Sequence, residues 1–167
     1  AFDKTGTLTT GLAAVTNILV HDPDEDDFLA LLAGLEAQSE HPIAAAIRRE
    51  ATERGITPAP IRDVRTHPSE GITGRDQTGQ IWAGNSRMLA AMGAKLPTTL
   101  AGLADGSETL IVVGRGSRIL GAVTVADEPR TTAAEAVRDL RAGGRVAILM
   151  MTGDRAPVAT RIGASLG

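Results

Sequence analysis

The chain reads as an α+β unit, an antiparallel sheet with flanking helices, inserted into a partial α/β unit of the Rossmann type. Three observations predict this. Short β-like runs crowd residues 61–125, turn signals separate them, and helix alternates with strand again from Thr131 onward. The insertion is expected over residues 21–125, with residues 1–20 and 126–167 forming the flanking α/β unit.

The first element is a strand-to-loop junction, Asp3-Lys4-Thr5-Gly6-Thr7-Leu8-Thr9. Leu12 to Val20, rich in Val, Ile and Thr, follows as a strand or extended connection. Asp22, Asp24, Glu25, Asp26 and Asp27 then precede an apolar run from Phe28 to Leu35, as suits a helix whose first turn carries carboxylates against its dipole. The same acidic run could be proposed as a metal site, but capping and solvation explain it without one. A second helix runs from Pro42 through Arg54: Pro is preorganised for a first helical position, Ile43, Ile47 and Ala51 recur at helical spacing, and Gly55 ends the run.

Five strand-like pieces come next, at Asp63–Thr66, Ile72–Arg75, Gln80–Ala83, Thr109–Val113 and Ile119–Val125. Turns at Thr78-Gly79 and Gly114-Arg115-Gly116 make hairpins of them. Short helical pieces at Ser86–Met92 and Thr98–Ala104 interrupt the series. The closing stretch predicts a helix at Thr131–Arg141, a buried strand at Arg145–Met151 and a helix at Arg155–Leu166.

Composition excludes several function classes. A net charge of −3, scattered basic residues, two Phe, one Trp and no Tyr leave neither an electrostatic footprint nor a stacking platform for nucleic acid. The absence of cysteine excludes a disulfide framework or a Cys-type zinc cluster. The longest apolar run, Val146 to Met151, is strand-sized and cannot span a bilayer. With no initiating Met, no signal pattern and only Ala1-Phe2 ahead of Asp3, the chain is read as an excised soluble piece of a larger protein.

The opening seven residues carry the chemistry. A carboxylate can attack a phosphoryl group when a cation balances its charge, small residues admit backbone N–H groups to the phosphate oxygens, and hydroxyls hold those oxygens. Asp3, Lys4, Gly6 and the three threonines supply these parts. The bland reading is a turn whose Asp and Thr side chains satisfy local backbone groups. Thr152-Gly153-Asp154, between a strand and a helix, places a hydroxyl and backbone amides where a phosphate could meet them, or simply caps that helix. His41 stands just before a helix start, where its ring can lie over a planar base or serve only as a cap.

At these residues the chain resembles the P-type ATPases, whose motif Asp becomes an aspartyl-phosphate. Ser39-Glu40-His41-Pro42 with Glu36 is similar to the nucleotide-binding signature of the heavy-metal-transporting subfamily, and Asp127 with Arg130 and Thr152-Gly153-Asp154 match the returning half of its phosphorylation domain. The resemblance implies a nucleotide-binding domain inserted into a partial haloacid-dehalogenase-like phosphorylation domain. It further implies in-line attack by Asp3 on the γ-phosphate of ATP, with Mg²⁺ at Asp3 and Thr5, and with Lys4, Thr5, Thr152, Gly153 and Asp154 around the phosphoryl group. Glu36, His41, Gly71, Ile72 and Asn85 would hold the adenosine end.

Two departures stand out. Ser69 replaces the first Gly of the family's Gly-x-Gly, where a positive φ would cost about 1 kcal/mol and close approach of ATP is partly obstructed. After Gly84-Asn85 the chain has Ser86 and Arg87 where relatives often carry a basic residue directly.

The implied partners are ATP, the transmembrane and actuator domains of a parent polypeptide, and a transported metal cation bound elsewhere. The implied location is the cytoplasmic side of an integral membrane protein. The family's Gly-Asp-Gly-x-Asn-Asp segment would lie beyond Gly167, so the chain is expected to bind nucleotide but hardly turn it over. Two other readings remain: a haloacid-dehalogenase-type phosphatase, which usually carries a second carboxylate where this chain has Thr5, and a non-catalytic nucleotide-binding module.

Overall fold

A computed structural model of the chain describes residues 1–21, 24–105, 108–144, 147–153 and 156–167. Two sheets organise it. The larger has six antiparallel strands in the order β2 (Thr9–Val20), β7 (Arg118–Pro129), β6 (Thr109–Arg115), β5 (Gly79–Gly84), β4 (Gly71–Asp76) and β3 (Arg62–His67). The smaller is a single parallel pair, β1 (Phe2–Asp3) with β8 (Met150–Met151).

The large sheet is buried on both faces, which is why its inner strands read as continuous apolar runs. Successive side chains alternate: Ile81, Ala83, Ile111 and Val113 join one core, while Trp82 and Val112 join the other. Helices α1 (Glu25–Leu35) and α2 (Pro42–Glu53) cover the first face with Phe28, Leu29, Leu32, Leu35 and Ile47, all fully buried. The second face is covered from α3 (Ser86–Ala91) and α4 (Thr98–Ala101) by Met88 and Leu100. Asp24 caps α1 by accepting from Asp27 N–H, so the acidic run does what helix dipoles favour. Arg115 pairs with Asp76 beside the Asp76–Gly79 turn, and that hydrogen-bonded guanidinium holds the Asp76 carboxyl far below the usual carboxylate range.

Three expectations need correction. The strand expected from Leu12 begins at Thr9 and is an edge of the large sheet, paired with β7 from Thr9↔Pro129 to Val20↔Gly121. The hairpin turn joining β6 to β7 lies at Gly116-Ser117, because β6 stays paired through Arg115. The buried strand expected over Arg145–Met151 is only Met150–Met151, with Leu149 and Met151 exposed at 64% and 60%; Arg145 and Val146 lie outside the described residues. Two residues paired to one neighbour cannot bury an apolar run, since a parallel strand needs cover on both faces.

The second lobe has its own small core. Leu8 packs with Ala133 and Val137 of α5 (Ala133–Ala142) and with Ile162 and Leu166 of α6 (Ala156–Leu166). The lobes touch where Glu108 accepts from Thr16 Oγ1 at 2.7 Å and pairs with Arg161 of α6 at 3.6 Å.

Candidate functional site

The site has two halves. At the small sheet, β1 pairs with β8 through Asp3↔Met151, so the loop after Asp3 and the loop at Thr152-Gly153 leave the same carboxyl edge. That edge is where α/β sheets place ligands. Asp3 ends β1 exposed, with no hydrogen bond or ion pair to its carboxylate among the described residues. Its neighbour Lys4 is buried and sits 3.5 Å from Asp127 Oδ2.

The chain after Asp3 folds into a five-residue turn, Lys4–Leu8, closed by Thr9 N–H donating to the Lys4 carbonyl. Gly6 at its tip has φ +79, a conformation glycine takes without strain. The turn is fastened from the far end of the sequence. Thr9 Oγ1 donates to Asp127 Oδ2 at 2.5 Å and Gly11 N–H to Asp127 Oδ1 at 3.0 Å. Arg130 donates from its backbone to the Leu8 carbonyl and from Nη2 to the Gly6 carbonyl, each at 2.9 Å. Thr5, Gly6 and Thr7 are left exposed as a hydroxyl-bearing rim beside Asp3.

The second half is a cavity of about 260 Å³ on the large sheet, lined by Glu36, His41, Gly71, Ile72 and Asn85 among others. Five positions spread over fifty residues therefore line one cavity. Glu36 ends α1 and His41 begins α2, so the two belong to different helices joined by a tight turn. Arg48 holds that turn, donating to the carbonyls of Glu36 at 2.6 Å and Ser39 at 2.8 Å. His41 caps α2 by accepting from Ile43 N–H through Nδ1, which fixes the ring beside the cavity. Burial pushes the Glu36 carboxyl up, against the opposing pull of Ser39, His41 and Arg48.

Opposite them the backbone of β4 and β5 closes tightly. Gly71 faces Gly84 in register, and a Cβ on Gly71 would meet Ala83 O at 2.1 Å. Ser69, before this step, has φ +61, the left-handed conformation its sequence position suggested. Asp154 lies outside the described residues. Sequence reasoning missed Arg48 as a support, because it lies outside the motif it serves, and missed the tie from Thr9 to Asp127, because the two are more than a hundred residues apart; it also missed Thr109, Leu110 and Ile111 of β6, which line the cavity only once strands pair. Among the described residues no group of three His, Asp or Glu side chains could hold a metal ion, so Asp3 is a single hard-oxygen donor.

An Asp-led loop leaving the carboxyl end of a parallel strand, beside a second loop from the paired strand, is the arrangement of a hydrolase built on an α/β sheet. The chain belongs to the haloacid dehalogenase-like hydrolases, whose family profile matches residues 1–167. Within that family it is homologous to part of the heavy-metal P-type ATPases. It is 34% identical over 166 residues to a copper-exporting P-type ATPase B of Archaeoglobus fulgidus, covering 99% of this chain and 24% of that protein. A zinc-transporting PIB-type ATPase solved in an E2.Pi state superposes with TM-score 0.86 at 31% identity, over 99% of this chain and 27% of that one. The catalytic domain of a CPx-ATPase, solved in a study of conformational changes on nucleotide binding, gives 0.70 at 25% identity, over 99% and 56%. The chain thus spans between 17% and 24% of the length of the curated relatives it matches. No helix among the described residues is long and apolar enough to cross a membrane.

Proposed function

We propose that this chain is the nucleotide-binding and phosphorylation portion of a P-type ATPase that moves a heavy-metal cation across a membrane. The observation that carries the reading is the convergence of Glu36, His41, Gly71, Ile72 and Asn85 on one cavity, in a protein whose Asp3 loop shares an edge with Thr152. We assign residues 21–125 to the nucleotide-binding domain and residues 1–20 and 126–167 to the phosphorylation domain. The division falls at the end of β2 and inside its partner β7, so the two strands that join the domains are hydrogen-bonded to each other.

In this reading the His41 ring stacks on adenine and Glu36 accepts from its exocyclic amine, while the backbone at Gly71 and Ile72 lies along the nucleoside. The phosphate tail extends to Asp3. The Asp3 carboxylate attacks the γ-phosphorus, the bond to the β–γ bridging oxygen breaks, and ADP leaves with that electron pair. Thr5, Thr152 and Gly153 donate to the transferring oxygens, Lys4 offsets their charge, and Asp154 completes this group. Mg²⁺, which would supply charge neutralisation on the triphosphate, fits the exposed Asp3 carboxylate together with Thr5, ATP itself providing the remaining oxygens. Thr5 in place of a second carboxylate leaves water without a general base, so the phosphoenzyme persists.

The cytoplasmic location, the actuator and transmembrane domains of the parent chain, and the transported cation bound there belong to the same proposal. Titration calorimetry with ATP tests its first part. Saturable binding that weakens on His41→Ala is expected; a chain indifferent to ATP would refute it. The parent protein incubated with γ-labelled ATP should carry acid-stable label, and none with Asn at position 3.

A further inference from the structure

Asn85 is engaged on both ends of its side chain. Its Oδ1 accepts from Arg87 N–H at 2.9 Å and from Met88 N–H at 3.5 Å, capping α3. Its Nδ2 donates to the Ser69 carbonyl at 2.8 Å, and its backbone N–H donates to the Glu70 carbonyl at 2.9 Å. Both of those carbonyls belong to the loop that delivers Gly71 to the cavity.

Ser69 is one of two non-glycine residues with positive φ among the described residues. A side chain in that conformation meets its own carbonyl, at a cost that would depopulate it severalfold if nothing held it. Here something holds it. The loop has little room to move as a whole, since a Cβ on Gly84 would lie 2.4 Å from Glu70 O and 2.6 Å from Met88 Cβ. The Ser69–Glu70 peptide is held from both sides: its N–H donates to the His67 carbonyl at 3.0 Å across the turn, and its carbonyl, that of Ser69, accepts from the Asn85 amide.

We propose that Asn85 is a positioning residue: its amide holds Ser69 in the left-handed conformation and thereby presents the Glu70–Gly71 backbone to the nucleotide. The proposal rests on the nucleotide reading of the cavity. It assigns Asn85 a task coupled to one neighbour, and Ser69 is what makes the task necessary. A glycine at position 69 would take the same φ unaided.

The test is a double-substitution cycle on the 167-residue chain, read by ATP calorimetry. Asn85→Ser keeps a hydroxyl oxygen for the α3 cap and removes the amide donor. With Ser69 present it should weaken ATP binding by about tenfold; with Ser69→Gly the same change should weaken it by about twofold, a coupling of about fivefold. Ser69→Ala, which retains the Cβ, should rescue nothing. In the absence of ATP, the amide resonances of Glu70 and Gly71 should shift on Asn85→Ser and return toward their original positions when Ser69→Gly is added. Equal losses in both backgrounds, or rescue by Ser69→Ala, would overturn the brace while leaving ATP binding intact. Absence of ATP binding by the unsubstituted chain would overturn the nucleotide reading, and this role with it.

Discussion

The two lobes are built to different standards. The six-stranded lobe buries apolar side chains on both sheet faces, with Phe28, Leu32, Trp82 and Val123 fully enclosed. The lobe that carries Asp3 has one two-residue parallel pair, a core of Leu8, Ala133, Val137, Ile162 and Leu166, and exposed Leu140, Leu149 and Met151. What fixes its reactive loop is mostly polar: Asp127 and Arg130, on or just past the end of β7, hold Lys4, Gly6, Leu8 and Thr9. In the proposed reading, nucleotide recognition sits on the well-packed sheet and phosphoryl transfer on a loop tethered to β7. The difference teaches that the second half borrows its order from the first.

The largest effect should come from Asp3→Asn. In the parent protein it removes the nucleophile, so acid-stable phosphate incorporation from ATP should fall by about a thousandfold or more, while ATP binding at the sheet cavity survives. Loss of both together would show that the halves are not separable. Next, Leu32→Ala should cost the sheet lobe about 2–5 kcal/mol, seen as a lower urea midpoint. Asp127→Asn should leave that midpoint nearly unchanged and instead speed hydrogen exchange at Gly6 and Gly11, because it weakens the tether and not the core. Equal midpoint losses for the two would erase the contrast.

His41→Ala should weaken ATP binding by about tenfold, the scale of one base–aromatic stack. A pH dependence should accompany it. Burial raises the Glu36 carboxyl above its ordinary value of 4.5, so its contribution to stability is fully present below that value and is lost as pH rises through the raised one. Adenine donating to this carboxyl is held more strongly when the group is ionised. ATP affinity should therefore fall modestly as pH drops through the raised value toward 4.5, and Glu36→Gln should flatten the profile. An unchanged slope in that variant would place the titrating group elsewhere.

Much of this site was legible in residue order. Asp3-Lys4-Thr5-Gly6-Thr7 and Thr152-Gly153 are contiguous and mark strand ends; Glu36 with Ser39-Glu40-His41-Pro42 marks a junction between two helices. Their supports were not legible. Arg48 reaches back to the Glu36 and Ser39 carbonyls from the second turn of α2, and Thr9 meets Asp127 across more than a hundred residues. Ser69 showed in the sequence as a departure with a cost, but not the amide that meets it.

The sequence by itself determined the kinds of element and the kinds of chemistry. Helix caps at Asp24, His41 and Asn85, alternation along Ile81-Trp82-Ala83, and a carboxylate beside a lysine and hydroxyls are local properties. Only the tertiary structure decided that β2 completes the large sheet and that Glu36 and His41 face Gly71 and Asn85. It also decided that Asp127, placed by β7, governs the loop after Asp3. Those outcomes depend on which apolar faces bury one another across long sequence separations, and no window of neighbouring residues contains that information.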